Sequence, residues 1–261
     1  MGKITNALKK AAEERLTRIE KISQIKERDR LILKKIGASN MDPSVITYFD
    51  PKALISEQYK ILRTNILSMN KGKPPKTFII TSSIHAEGKT ITALNLAVSL
   101  AQAVHKPRVL LVDGDLRKGR VGYYLSVERK IGLSEVLRGE ADVKDAVFHI
   151  ELENLAFIAA GHSPEYPSEL LSSENFRKFL NHMQAEFDHI IIDTPPIIAV
   201  TDAGILGSQV EGVLLVVQAG RTQRGIVKRA EELLFQSHAK IMGHVLTNIE
   251  YHLPEYIYRY L

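Results

Sequence analysis

Beyond residue 70, short apolar runs alternate with longer stretches in which apolar residues recur at helical spacing. The runs are rich in Ile, Val and Leu, which predicts strands buried on both faces, while the stretches between them predict helices. We predict strands at about residues 77–82, 108–112, 155–159, 189–193, 213–218 and 240–247. We predict helices at Thr90 to Ala103, Pro167 to Met183 and Thr222 to Gln236.

This alternation predicts an α/β fold, with a doubly wound, mostly parallel sheet and helices on both faces. The segment Lys71 to Pro75 is typical of a linker leading into the first strand. With 261 residues and 44% hydrophobic content, the chain can bury one full α/β core and carry an appendage. We therefore divide it into an N-terminal extension at residues 1–50, a main domain at 51–250 and a C-terminal tail at 251–261.

Positive charge is concentrated in the N-terminal extension. Residues 1–40 contain eleven Lys or Arg and five Asp or Glu, a net charge of +6, whereas the whole chain carries +5. Apolar residues from Ile4 to Ile22 recur at helical spacing and predict a basic amphipathic helix. Such a helix could lie on an anionic membrane or dock on a partner, or it could be a solvated helix packed on its own domain.

The cysteine content and the hydropathy narrow the class of protein. The chain has no cysteine, which excludes a disulfide scaffold and thiolate metal sites. No apolar run approaches the roughly 20 residues that span a bilayer, and the N-terminus is too polar for a secretory signal. We therefore expect a cytoplasmic protein.

The segment Ser83 to Thr90 follows the first predicted strand and leads into a predicted helix. Its sequence is Ser-Ile-His-Ala-Glu-Gly-Lys-Thr, with the small residues, lysine and hydroxyl that a phosphate-binding loop requires. We expect Lys89 to reach the β- and γ-phosphate oxygens and Thr90 to coordinate Mg²⁺. The predicted nucleotide contacts of this segment are Ser83, Ala86, Glu87, Gly88, Lys89, Thr90 and Ile91.

Two further predicted strands end in aspartates. One leads into Asp113-Gly-Asp115-Leu-Arg117, and the other ends in Asp193-Thr-Pro-Pro. Because the carboxyl ends of parallel strands share one crevice, we expect these carboxylates to surround the same triphosphate. We assign Asp113 as the base for an attacking hydroxyl, and Asp115 and Asp193 to the metal shell together with Thr90. The roles of Asp113 and Asp115 could be exchanged, and Asp113 could instead be only a cap on the next helix.

From about Ser56 to Leu261, these motifs resemble the bacterial tyrosine kinases of capsule and exopolysaccharide synthesis, which are P-loop proteins. In that family the segment at Asp113 corresponds to the Walker A′ motif and the segment at Asp193 to Walker B. The resemblance implies an ATP- and Mg²⁺-dependent protein-tyrosine autokinase that regulates polysaccharide synthesis and export. Asn248 resembles the residue that contacts adenine in related ATPases, although a turn or capping asparagine is an alternative.

The resemblance also implies partners. It indicates a separate activator of the polysaccharide co-polymerase type, so that the chain would reach the inner face of the membrane only indirectly; no nucleic-acid partner is expected. The sequence Glu57-Gln-Tyr-Lys60-Ile-Leu-Arg63 is similar to the family motif that joins subunits in a homo-oligomeric ring. Lys60 departs from that motif because lysine cannot make the bidentate fork of an arginine. A solvated charged helix face is the competing interpretation.

A cluster of tyrosines marks the C-terminal tail. Four of the nine tyrosines fall in the last eleven residues, and they are Tyr251, Tyr256, Tyr258 and Tyr260. Chain ends are usually mobile, and the resemblance implies that such a cluster is phosphorylated in trans. Each phosphate would add about 1.5 to 2 negative charges, which could dissociate an assembly. A partly packed tail with aromatic anchors is the alternative.

Two residues of the predicted phosphate-binding loop depart from the family pattern. His85 and Ala86 replace a common Pro-Gly pair, and Ala86 would be strained at positive φ.

The alternative function is that of a MinD-type or ParA-type ATPase switch, which shares the sheet and both aspartate motifs. Those switches have a lysine as the second loop residue, where this chain has Ile84. A catalytically weak scaffold that only binds ATP is a third interpretation.

Overall fold

A computed structural model describes residues 39–128, 130–150 and 152–249. Within these ranges one sheet contains seven strands in the order β3-β4-β2-β5-β1-β6-β7. Every neighbouring pair is parallel except β3 and β4. The strands are β1 Thr77–Ser82, β2 Val109–Asp113, β3 Val147–His149, β4 Leu155–Ile158, β5 His189–Asp193, β6 Gly212–Gln218 and β7 Ile241–Thr247.

Helices cover both faces of the sheet, which confirms the predicted doubly wound α/β fold. The helices are α1 Ile46–Phe49, α2 Leu54–Leu67, α3 Met69–Gly72, α4 Lys89–Ala101, α5 Val121–Leu125, α6 Leu133–Arg138, α7 Val143–Ala146, α8 Pro167–Ser172, α9 Glu174–Glu186, α10 Asp202–Gly207 and α11 Arg224–Gln236.

The strands separate two hydrophobic cores. In β1, Ile79 faces a core shared with α6, α8, α9, α10 and α11. Its neighbours Phe78 and Ile80 face the opposite core, which contains α4 and residues of α1, α2 and α5. Alternate residues therefore point to opposite faces and both faces are buried, which explains why the central strands are continuous apolar runs.

The six predicted strands are confirmed within one residue at each end. The antiparallel edge strand β3 was not predicted, because it has only three residues and none of them is fully buried. Such a strand carries neither the apolar run nor the alternation that identifies longer strands.

The prediction of one helix from Pro167 to Met183 is wrong, since the chain breaks at Ser173 and forms α8 and α9. Ser173 adopts extended dihedral angles, and its hydroxyl oxygen accepts a hydrogen bond from the Phe176 N–H at 3.4 Å. It thus caps the second helix, as serine commonly does. Helix α11 begins at Arg224 rather than at the predicted Thr222, whose hydroxyl contacts the phosphate-loop segment instead.

The described part of the N-terminal extension packs on the main domain. Val45 and Phe49 are buried in the core that contains α4. The Thr47 N–H donates a hydrogen bond to Asn95 Oδ1 at 3.0 Å, which attaches this segment to α4. The predicted basic helix at residues 4–22 lies outside the described residues, and the division into three regions stays a prediction.

In the described ranges, no helix combines the length and the apolar character needed to cross a lipid bilayer.

Candidate active site

The segment Ser83 to Gly88 joins the centre of the sheet to the N-terminus of a long helix. It follows β1, which lies between β5 and β6, and leads directly into the 13-residue helix α4. Gly88 has φ = 91°, a left-handed conformation that glycine adopts without strain. The free N–H groups of the first turn of α4 make this end of the helix suited to phosphate.

Four other residues that were predicted to contact the nucleotide have different surroundings in the structure. The buried Ser83 hydroxyl has no hydrogen-bond partner among the described residues. Ala86 has φ = 63°, the strained conformation expected for a residue that replaces glycine. The Glu87 carboxylate is directed into the protein, and Ile91 lies in the first turn of α4.

Lys89 and Thr90 begin α4 beside the end of β5. The Lys89 ammonium lies 3.3 Å from Thr90 Oγ1. The Thr90 hydroxyl donates a hydrogen bond to Asp193 Oδ2 at 2.7 Å. The phosphate-loop segment and the predicted Walker B aspartate are therefore in direct contact, although they are 103 residues apart in sequence.

Asp113 and Asp193 are adjacent on neighbouring strands. They are paired in the β2–β5 register, and each is 1% exposed. Asp113 accepts hydrogen bonds from the Val121 N–H at 3.0 Å and the Asp115 N–H at 3.2 Å. Because Val121 is the first residue of α5, Asp113 makes the helix-capping contact that was the alternative to a role as base. The contact fixes the carboxylate next to Asp193, so both roles are compatible.

Asp115 is buried in the turn after β2. Its Oδ1 accepts the Lys118 N–H at 3.0 Å, which fixes the carboxylate within this turn. The charge of Asp115 raises the pKa of both Asp113 and Asp193, so it acts electrostatically on both buried carboxylates. The structure thus brings together the aspartates of both predicted motifs.

Burial dominates the electrostatics of this cluster. Burial, together with the charge of the neighbouring Asp193, raises the pKa of Asp113 to about 8. Burial also raises the pKa of Asp193 to about 6, although the Lys89 charge and the Thr90 hydrogen bond oppose this effect. Neighbouring carboxylates thus resist ionisation together, and an added cation would favour their charged forms.

The Thr90 hydroxyl and the Asp193 carboxylate, which lie in contact, would supply oxygen ligands to a magnesium ion. Asp193 Oδ1 is buried and has no hydrogen-bond partner among the residues that the structure describes. Leaving a buried carboxylate oxygen unpaired is costly unless a ligand satisfies it. Carboxylate and hydroxyl oxygens are the hard ligands that Mg²⁺ prefers.

Arg117 has a partner that its motif did not predict. Its guanidinium donates to both carboxylate oxygens of Asp202, through Nε at 2.9 Å and Nη2 at 3.2 Å. Asp202 is 0% exposed, and the Ser168 hydroxyl donates a further hydrogen bond to it at 2.6 Å. This cluster ties the turn after β2 to the N-termini of α8 and α10. Arg117 in the Asp-x-Arg pattern was visible in the sequence, but nothing there identified a partner 85 residues away.

The predicted oligomer motif and Asn248 lie away from the carboxylates. Lys60 donates to Glu57 Oε1 at 2.8 Å, and Arg63 donates to the Ser99 carbonyl near the end of α4 at 2.6 Å. Asn248 follows β7 with φ = 54° and lines a groove of about 590 Å³ between α2 and β7. The four predicted phosphoacceptors, Tyr251, Tyr256, Tyr258 and Tyr260, lie outside the described residues.

Comparisons with known proteins show which proteins this chain is similar to. A sequence family described as an AAA domain matches residues 80–233. The tyrosine-protein kinase YwqD of Bacillus subtilis is 38% identical over 216 residues, which cover 83% of this chain and 90% of YwqD. The putative tyrosine-protein kinase CapB of Staphylococcus aureus is 37% identical over 199 residues, covering 76% of this chain and 86% of CapB.

Solved structures show the same similarity. The chimerical protein CapA2B2 superimposes with a TM-score of 0.76 and 32% identity, covering 81% of this chain and 93% of the chimera. The kinase domain of the Escherichia coli tyrosine kinase ETK gives a TM-score of 0.74 and 28% identity, covering 80% of this chain and 83% of that domain.

Proposed function

The chain belongs to the bacterial tyrosine-protein kinases, and from this we propose that it transfers the γ-phosphoryl group of ATP to tyrosines of its own C-terminal segment. The observation that carries the proposal is the convergence of Lys89, Thr90 and two buried aspartates at one edge of the sheet. Similarity to named tyrosine kinases favours this function over a MinD-type or ParA-type switch.

The first turn of α4 and the phosphate-loop backbone bind the phosphates, and Lys89 neutralises β- and γ-oxygens. Thr90, Asp115 and Asp193 would hold Mg²⁺, which when bound neutralises charge that develops on the phosphates. The other proposed nucleotide contacts are Ser83, Ala86, Glu87 and Gly88 of the loop and Ile91 in the first turn of α4. Asn248 is proposed as the adenine contact.

Asp113 is the proposed base. It accepts the phenolic proton as the tyrosine oxygen bonds to the γ-phosphorus, while the bond from that phosphorus to the β,γ-bridging oxygen breaks and ADP leaves. The pKa of Asp113 is raised in the ligand-free protein, so a bound cation would favour the ionised form that can accept this proton. Asp115 could exchange this role with Asp113, and separate substitution by asparagine distinguishes them.

We propose as acceptors the four tyrosines in the last eleven residues. We also propose assembly of copies through Glu57, Lys60 and Arg63, and an activating membrane partner of the polysaccharide co-polymerase type. The similarity to CapA2B2, a chimera, supports the idea of a second protein acting with the kinase. The proposed cellular role is control of polysaccharide synthesis from the cytoplasmic side of the membrane.

Mass spectrometry tests the kinase proposal. The purified full chain is incubated with Mg-ATP and its tyrosines are compared with those of Lys89→Met. Phosphate on the C-terminal tyrosines of the wild type alone is expected. ATP hydrolysis without phosphotyrosine would contradict the proposal and favour a switch.

A mixing experiment tests transfer in trans. The acceptor is the Lys89→Met chain, which keeps its tyrosines, and the donor is a chain with all four C-terminal tyrosines replaced by Phe. Phosphate on the acceptor is expected only when the donor is present. An unlabelled acceptor, with normal self-labelling of the wild type, would indicate transfer in cis.

A further inference from the structure

We propose that Glu87 is a positioning residue whose buried carboxylate fastens the phosphate loop to the β6–α11 loop and thereby sets the affinity for nucleotide. This inference rests on the proposed function, since it concerns the same nucleotide site. Glu87 lies immediately before the Gly-Lys-Thr sequence, yet its side chain does not face the phosphates.

The Glu87 side chain is buried, since the residue is 1% exposed, and its carboxylate accepts three hydrogen bonds. Its Oε2 accepts the Ile84 N–H at 2.8 Å, which closes the loop on itself. Its Oε1 accepts the Gln218 N–H at 3.2 Å and the Thr222 hydroxyl at 2.5 Å. These contacts join the loop to the end of β6 and to the segment before α11.

The main chain of the loop is tied to the same region of the protein. The Thr247 hydroxyl donates to the Glu87 carbonyl at 2.7 Å, and Arg221 Nη1 donates to the Ala86 carbonyl at 3.1 Å. Ala86 is the non-glycine residue of the loop with positive φ, a conformation that persists only where the surroundings hold it. The ties from Glu87, Arg221 and Thr247 therefore maintain a strained loop shape.

These contacts join the phosphate loop to the part of the nucleotide site that is proposed to contact adenine. Thr247 ends β7, and the next residue is Asn248, the proposed adenine contact. The ends of β6 and β7 are thus held in fixed relation to the phosphate loop. A change at Glu87 or Thr222 would loosen this relation, so we expect it to weaken nucleotide binding before it affects phosphoryl transfer.

Substitution of Glu87 by Gln separates two explanations, because they predict opposite signs. If the carboxylate acted only through its charge, neutralising it would strengthen binding of the anionic nucleotide. If it positions the loop, the glutamine amide would place a donor against one of the donor groups that the carboxylate satisfies, and binding would weaken.

The experiment measures binding of a fluorescent ADP analogue to the full chain. We expect Glu87→Gln and Thr222→Val each to weaken binding by about tenfold. Thr222→Ser, which keeps the hydroxyl, should restore affinity to near the wild-type value. For ATP, the same variants should raise KM with little change in kcat, which a general loss of structure would not produce.

Glu211→Gln is the matched control. Glu211 also accepts backbone N–H bonds, from Lys76 and Thr77, but at the other end of the sheet. Its substitution should leave nucleotide affinity unchanged. Should Glu87→Gln fail to fold, the comparison of Thr222→Val with Thr222→Ser decides the question.

Unchanged or tighter binding in both Glu87→Gln and Thr222→Val would overturn the inference while leaving the kinase proposal intact. Conversely, a wild type that binds nucleotide but makes no phosphotyrosine would contradict the kinase proposal alone. In that case weaker binding by the two variants would still support the positioning role.

Discussion

The two ends of the central sheet differ in whether their polar groups have hydrogen-bond partners within the protein. At the amino end, Glu211 accepts the N–H groups of Lys76 and Thr77 at 3.0 and 3.2 Å. On the same end, the His189 ring lies 3.3 Å from the Pro75 carbonyl, to which its Nδ1 can donate. These polar groups thus find partners within the protein.

At the carboxyl end, buried polar groups are left for a ligand. Asp193 Oδ1 and Ser83 Oγ have no hydrogen-bond partner among the described residues, and Asp113 lies beside Asp193. β5 connects the two ends, since it begins at His189 and finishes at Asp193. The difference indicates that the amino end stabilises the fold, whereas the carboxyl end is electrostatically unfavourable until a cation and phosphates bind.

Asp193→Asn, at the carboxyl end, should have the largest effect of the changes that test this difference between the two ends. Asparagine keeps an acceptor for the Thr90 hydroxyl but removes the charge beside Asp113. We expect phosphotyrosine formation to fall about 100-fold or more, measured by phosphotyrosine yield over time. The free energy of unfolding without ligand should rise by about 1 kcal/mol. A variant that is both active and less stable would contradict this assignment.

Nucleotide should stabilise the protein through the carboxyl end only. At a Mg-ADP concentration of about 100 times Kd, the free energy of unfolding should rise by about 2.7 kcal/mol, measured by urea unfolding. Lys89→Met should lose most of this increase, because the phosphates lose their cation. Glu211→Ala should keep the whole increase, and an equal loss in both variants would show that the two ends are not separate.

Glu211→Ala tests the amino end of the sheet, where we expect an effect on stability and none on catalysis. It leaves two strand-start N–H groups without their acceptor, so we expect a loss of about 1 kcal/mol in the free energy of unfolding and normal kinase activity. The exposed Glu232, which contacts Arg229 at 3.4 Å, is the matched control. Its substitution by Ala should change the free energy of unfolding by less than about 0.5 kcal/mol. Similar losses in both variants would contradict a structural role for Glu211.

The smallest effect concerns pH. Burial lowers the pKa of His189 below its ordinary value. His189 therefore binds a proton more readily in the unfolded chain than in the folded protein. The stability that the neutral, buried His189 contributes is present above about pH 6.5 and is lost as the pH falls below that value. His189→Gln should reduce the loss of stability between about pH 7.5 and pH 5 in urea unfolding. The exposed His105→Gln serves as control, and an unchanged slope in His189→Gln would refute the assignment.

The sequence was sufficient for six of the seven described strands of the sheet and for the convergence of the aspartates. Buried parallel strands are continuous apolar runs, and strand ends in such a sheet share one edge, so the sequence pattern alone predicts that Asp113 and Asp193 lie together. Ser173, by contrast, interrupts a helical pattern through a cap that apolar spacing does not reveal.

The directions of side chains could not be predicted from the motifs. Glu87 belongs to the phosphate-loop sequence, but its carboxylate turns to Thr222, which is 135 residues away. The pairing of Arg117 with Asp202 is likewise long-range. A motif fixes the position of a residue along the chain, whereas the contacts of its side chain depend on which segments the fold brings together.

A structure of the full chain with Mg²⁺ and a non-hydrolysable ATP analogue tests the central claim most directly. We expect the γ-phosphate beside Lys89, a cation bound by Thr90 and Asp193, and Asp113 facing the γ-phosphorus. An analogue bound elsewhere, or a cation distant from Asp193, would contradict the proposed site.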